Sequence, residues 1–209
     1  MIDRSQPLWF PLRVSYSHVS RLMSLKEEFD KLNLENYVAM THKKVGFTMR
    51  LVPAISNLIF VRSTYQALSE VKQEPRFDHI RYIMHEVYDD REPYHEPLYV
   101  PDRQMDDFIR VSSVHDNRVA YMDNLDYAFR EGLYVEIMDG YFTGVRGIVK
   151  RINGSKGVVV PIREVAAVAI RNVPSRYLRV LTPEEITRLE TLADAAGIDT
   201  RGDWEHTME

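Results

Sequence analysis

No cysteine occurs among the 209 residues. That excludes disulfides, thiolate metal sites and cysteine nucleophiles together. No run of 18 apolar residues occurs, so no segment reads as a membrane-spanning helix and no membrane association is expected. The opening MIDRSQPLWF sets an acid beside its first arginine and lacks the apolar stretch of a secretory signal, so the cytoplasm is the expected location. Neither charge sign dominates. The chain has 27 Lys+Arg against 31 Asp+Glu, a net charge of −4, which argues against an electrostatic grip on nucleic acid by the whole molecule. The distribution is uneven. Residues 119–182 carry 9 basic against 6 acidic side chains, and residues 183–209 carry 2 against 8. A phosphate-binding GxxxxGK[ST] loop, a Gly-x-Ser-x-Gly elbow and a His-Glu-x-x-His motif are all absent. The acid pairs Glu27-Glu28 and Asp106-Asp107 fall on expected helix surfaces, where adjacent positions point in different directions and make no catalytic dyad. The expectation is a protein that is not an enzyme and has no cofactor or metal.

What is present is periodicity. LWFPLRVSY (8–16) is a β-branched and aromatic run that reads as a strand, and Pro11 inside it favours an edge position or a bulge. SRLMSLKEEFDKLN (20–33) switches to helical spacing, with Val19, Leu22, Met23, Phe29 and Leu32 on one side. YVAM (37–40) reads as a strand. Residues 43–63 read as a hairpin with Gly46 near its tip, followed by an apolar strand at 58–61. Ser63 with Gln66 three residues on has the form of a capping box for the next helix. A strand at 80–84 and a helix at 101–113 follow, the helix carrying Met105, Phe108 and Ile109 on one face. The order β-α-β-β-β-α-β-α predicts an α+β unit built around one sheet. HEVYDDREPYHEP (85–97), polar and with two prolines, reads as a protruding loop.

After a stretch without clear period comes a series of short strands. LYVEIM (133–138) and VKRINGSKGVVVPI (149–162) flank DGYFTGVRGIV (139–149), whose glycines serve a turn at Gly140 and close backbone approach at Gly144 and Gly147. Asn153-Gly154 signals a hairpin. EVAAVAI (164–170) and RYLRVL (176–181) read as further strands. Four or five such strands in about 50 residues bury a core by curling into a small barrel. PEEITRLETLADAAGI (183–198) begins with Pro and two acids and ends near Gly197, a terminal helix.

The pattern Gly-x-x-Val-x-Ile-x-x-Gly-x-Phe-x-Gly-x-x-Gly-x-Val from Gly132 to Val149 resembles the KOW motif of SH3-like barrels in transcription and ribosomal proteins. WFPLRV (9–14), the helix after it, the hairpin leading into VPAISNLIFV (52–61) and VPDRQMDDFIRV (100–111) resemble the N-terminal (NGN) domain of the NusG family, and in particular its specialised UpxY/RfaH-type branch. The resemblance extends to Leu181. It implies a NusG-like N-terminal α/β sandwich over 1–118, a linker over 119–131, a KOW barrel over 132–182 and a C-terminal helix and tail over 183–209. The implied function is a bacterial antitermination factor that rides on RNA polymerase as a monomer, suppressing pausing or termination in particular operons, such as those for capsular polysaccharide. The second reading is a KOW-containing RNA- or ribosome-binding module without a polymerase contact.

The resemblance implies that Ala54, Ile55 and Leu58, with Arg13 beside them, lie on an apolar patch that docks on polymerase. This chain has Ile55-Ser56-Asn57-Leu58 where the family has Phe-Pro-Gly-Tyr, so two rings give way to aliphatic side chains. The same residues read equally as core of a buried strand. Phe142, with Tyr141, resembles the aromatic that the family presents to termination factor Rho or a small-subunit ribosomal protein; otherwise it plugs the barrel end. Lys43, Lys44 and Arg50 on the hairpin, and Arg146, Lys150, Arg151 and Lys156 in the barrel, either contact nucleic acid such as non-template DNA or form solvated faces. His85, Asp89, Asp90, His95 and Glu96 are metal-ligand types at a spacing that fits no standard site. The β-branched Val135, Ile137, Val149, Val158, Val159 and Val160 predict strands over 135–170 rather than the helical hairpin known in RfaH.

Overall fold

The computed structural model describes residues 6–15, 19–87, 93–115, 117–122, 128, 132–162 and 165–187, with the side chains of 19 and 20 left aside. It is a mixed α/β protein with several antiparallel sheets. The expected Asp89, Asp90 and Gly197 positions lie outside the described residues.

The N-terminal half contains strands β1 (Leu8–Val14), β2 (Glu35–Tyr37), β3 (Met40–Val45), β4 (Thr48–Pro53), β5 (Leu58–Ser63), β6 (Ile80–Tyr82), β7 (Met84–Val87) and β8 (Tyr94–Pro97), and helices α1 (Val19–Lys31), α2 (Tyr65–Val71) and α3 (Asp102–Ser112). Only four of these strands share a sheet, in the order β2-β5-β1-β6; β3–β4 and β7–β8 are separate two-stranded ribbons. The one-sheet expectation is therefore corrected. Within the stretch expected as a loop, β7 and β8 pair as a ribbon, with His85 opposite Glu96 and Val87 opposite Tyr94.

Pro11 is not on an edge. β1 pairs with β5 on one side and β6 on the other. The missing N–H is tolerated because it faces the side where β6 has ended. The Pro11 carbonyl accepts from the Ile83 N–H, while the Ile83 carbonyl, which a residue at 11 would normally serve, accepts from the Leu98 N–H at 2.8 Å. The helix cap is also shifted by one residue. Ser63 is the last residue of β5, and the Thr64 hydroxyl caps α2 by accepting from the Ala67 N–H.

Alternation along β1 and β5 gives the sheet two buried faces. Phe10, Leu12, Val14, Ile59 and Val61 join Leu22, Leu25 and Phe29 of α1 and Leu68 of α2 in one core. There Phe29 stacks on Phe77 at 5.4 Å. Trp9, Leu58 and Phe60 belong to the opposite face and to a second core, with Met105, Phe108 and Val111 of α3.

The C-terminal half contributes β9 (Val119–Tyr121), β10 (Tyr134–Ile137), β11 (Arg146–Ile152), β12 (Ser155–Ile162), β13 (Ala166–Arg171) and β14 (Leu178–Val180). They form a six-stranded sheet in the order β14-β10-β11-β12-β13-β9. The described part of 135–170 thus contains strands, and β9 falls inside the stretch expected as a linker. Val158, Val160, Val168 and Ile170 face the α3 core, whereas Val159, Ala167 and Ala169 face a third cluster with Ile152 and Ala128. Burial on both faces accounts for the unbroken apolar runs at 158–160 and 165–170. Gly140 adopts φ +89°, as the turn requires. Gly144 corrects the expectation, since its φ of +85° makes it a turn residue, and a Cβ there would find nothing nearer than Arg110 at 3.8 Å. Residues 183–187 are helical. They start in a reciprocal cap, in which Thr182 Oγ1 accepts from the Glu185 N–H at 3.3 Å and Glu185 Oε2 from the Thr182 N–H at 2.9 Å.

Candidate functional site

Four of the residues that the sequence singles out, Ala54, Ile55, Leu58 and Phe142, share the apolar cluster around α3. This helix is amphipathic, with Met105, Phe108 and Val111 fully buried. It lies between the two large sheets, packing on β1 on one side and on β12 and β13 on the other. One apolar cluster runs through it, from Trp9, Leu58 and Phe60 to Phe142, Val145, Val158 and Val160. Phe60 and Phe108 are in ring contact at 5.7 Å.

Polar bonds edge this joint. Arg103 donates to the Gly144 carbonyl at 2.9 Å, Gln104 Nε2 to the Pro161 carbonyl at 2.8 Å and Arg110 to the Tyr141 carbonyl at 3.5 Å. At the other end of α3, the Tyr37 and Ser112 hydroxyls are 2.7 Å apart, and the Tyr121 hydroxyl donates to the Met40 carbonyl at 3.1 Å. Arg62 clamps Asp102 through two hydrogen bonds of 3.0 and 2.9 Å, tying β5 to the start of α3.

Leu58 is only 5% exposed, so the open surface expected beside it is closed in this arrangement. Ala54 and Ile55 are half-buried and pack against the same cluster. Arg13, opposite Leu58 in the register, is exposed. Phe142 is 6% exposed and belongs to that cluster, which is the plug arrangement, whereas Tyr141 beside it is open. The two rings meet edge to face at 5.3 Å, and the Arg118 guanidinium sits 5.6 Å from each. The structure therefore gathers Ala54, Ile55, Leu58 and Phe142 into one joint.

The basic residues are not gathered. Lys43 and Lys44 are exposed on the β3–β4 ribbon. Arg146 is half-buried 3.9 Å from Glu136, Lys150 is buried, and Arg151 and Lys156 are exposed. These four do not make a continuous basic face, because burial and ion pairing take up part of the charge. His85 is buried with its Nε2 3.4 Å from Glu96 Oε1, and no group of three metal-ligand side chains forms among the described residues. No helix among the described residues is long and apolar enough to cross a membrane.

Sequence reading missed the polar members of the joint. Asp107, expected on a helix surface, is the most telling correction. It is buried, and burial pushes its carboxyl up to about 6, against Arg103 and Arg146, which pull it down. An acid with a higher pKa folded than unfolded adds stability that is complete below the unfolded value and is lost as pH rises through the folded one. Between its ordinary 3.8 and about 6, that difference is worth about 3 kcal/mol. Urea titrations at pH 7 and pH 4 are expected to show the wild type gaining stability on acidification relative to Asp107→Asn. Identical pH dependence of the two would refute the assignment.

The sequence matches no protein-family model and no curated protein. Among solved structures, one of NusG from Thermotoga maritima, described as showing domain interaction, is 15% identical and aligns over 87% of this chain and 97% of its own, with a TM-score of 0.35.

Proposed function

We propose that this chain is a NusG-like transcription elongation and antitermination factor of the specialised UpxY/RfaH type, with an NGN-type N-terminal unit and a KOW-type C-terminal one. The N-terminal unit binds RNA polymerase through the sheet face around Ala54, Ile55 and Leu58. The C-terminal unit offers Phe142 and Tyr141 to a second protein, such as Rho or a small-subunit ribosomal protein. Its mechanism is binding without chemistry: by holding one conformation of the polymerase, it biases an equilibrium away from pausing. The supporting observation is that Ile55, Leu58 and Phe142, which the sequence resemblance assigns to two different partners, meet in one apolar cluster edged by side-chain-to-carbonyl hydrogen bonds. The described arrangement is the closed one, and polymerase engagement opens it.

Removing the Arg103 and Gln104 bonds, each worth about 1 kcal/mol, shifts the balance toward the open form. Purified core RNA polymerase is expected to retain Arg103→Ala/Gln104→Ala up to about thirtyfold better than wild type, and addition of Ile55→Asp to abolish retention. If wild type and double variant both stay folded and neither holds polymerase, the reading fails. Co-elution of ribosomal RNA instead would favour the RNA-binding alternative.

A further inference from the structure

A cavity of about 300 Å³ opens between the root of the β3–β4 ribbon and the chain that follows α3. Met40, His42 and Met49 line it from the ribbon, and His115, Asn117 and Tyr121 from the other wall. Register explains the first set. Directly paired residues of an antiparallel ribbon point to one face, and the face alternates along each strand. Met40, His42 and Lys44 therefore share a face with their partners Pro53, Leu51 and Met49. The Tyr121 hydroxyl, donating to the Met40 carbonyl at 3.1 Å, ties the second wall to the ribbon.

Two features of this cavity go unused by the polymerase reading. The rings of His42 and His115, far apart in the chain, come within 5.8 Å between centres, with their planes at 87°. A metal held by one nitrogen of each ring, at about 2 Å, sets the two ring centres roughly 5–6 Å apart. Both histidines are exposed. Turning an imidazole about its Cβ–Cγ bond moves its nitrogens but hardly moves its centre, so the observed spacing carries over to a metal-bound pair. The second feature is Met49, whose thioether side chain is left 63% exposed on the ribbon face that also carries Met40 and His42. Among histidine, cysteine and carboxylate donors only the two imidazoles gather here, and the thioethers bring the set to four.

Donor type chooses the ion. Imidazole suits zinc, copper, iron and nickel, whereas thioether sulfur selects cuprous copper, so copper is the metal the two share. No carboxylate is among the described lining residues to favour a harder cation. The chain has no cysteine thiolate to draw a soft ion elsewhere. Lys44 shares the ribbon face but is not among the lining residues. We propose that this cavity is a cuprous-ion site, with His42 and His115 as nitrogen ligands and Met40 and Met49 as sulfur ligands. The bound ion ties the ribbon root to the chain after α3. The inference is independent of the polymerase reading, because it uses none of the residues assigned to that contact.

The test titrates Cu(I), kept reduced by ascorbate under argon, into the full chain against bicinchoninate, whose coloured Cu(I) complex fades as the protein takes the ion. Wild type is expected to retain one equivalent. His42→Ala/His115→Ala is expected to weaken retention by at least about tenfold, the loss that even an outer partner of a metal ligand causes. Met40→Leu/Met49→Leu keeps the volume and removes only the sulfur. It is expected to weaken Cu(I) retention while leaving the weaker binding of Zn(II) unchanged. Silver(I), a redox-silent ion of the same softness, is expected to shift the NMR methyl signals of Met40 and Met49 before those of the other methionines. Circular dichroism checks that each variant keeps the fold. Failure to retain Cu(I), a histidine or methionine double variant that retains it like wild type, or silver shifts confined to other methionines would each overturn the proposal.

Discussion

Phe108→Ala is expected to lower the free energy of unfolding by about 3–5 kcal/mol, the usual cost of emptying a fully buried phenylalanine site. Phe108 has no exposed surface, touches Phe60 and sits in the cluster that joins the two sheets through α3. Its neighbours come from both sheets, so relaxation of one side cannot fill the void without straining the other. Met49→Ala is the matched control, since its side chain is 63% exposed and its loss should change stability by less than about 0.5 kcal/mol. Urea denaturation of the three proteins measures both effects. A loss below about 1 kcal/mol at Phe108 would mean that α3 does not join the sheets as described.

Gly147→Ala carries the second large effect, about 3 kcal/mol or more of destabilisation. An added Cβ would lie 2.4 Å from the Val159 carbonyl oxygen and 2.8 Å from Val158 Cγ1. Both belong to the paired strand β12, which cannot retreat without losing ladder bonds to β11 and β13. Gly46→Asn isolates the steric cause: a Cβ there meets nothing within 4 Å, and asparagine accepts the φ of +62°. Thermal melts should place Gly46→Asn within a few degrees of wild type and Gly147→Ala far below it. Similar shifts for the two would point to backbone entropy as the cause, and the close approach of β11 and β12 would have to be abandoned.

Most elements were legible because their cause is local. The β-branched, aromatic and apolar runs became β1, β5, β10 and β11, and the i, i+3, i+4 apolar spacing became α1 and α3. Asn153 and Gly154 both take positive φ at the hairpin tip, and Gly140 takes it at the turn. Where local cues misled, a neighbour had decided the outcome. Pro11 belongs to an inner strand because residue 98 takes over a carbonyl that the proline cannot serve. Ser63 lost the cap to Thr64 because β5 runs on through residue 63. Residues 84–87 pair with residues 94–97, and neither composition nor the prolines announced that.

The candidate site divides in the same way. The resemblance read in the sequence marked Ala54, Ile55, Leu58 and Phe142, residue types marked the lysines of the hairpin, and alternation along the strands gives each sheet two distinct faces. Whether an apolar side chain faces solvent or a second element is a property of pairs far apart in the chain. Only the packing of α3 against both sheets decided that Leu58 and Phe142 are covered together, and that Asp107 is buried beside Arg103. The same packing left the tip of the β3–β4 ribbon, with Phe47 at its end, exposed. Burial depends on which surfaces meet, and a linear pattern fixes each surface without choosing its mate.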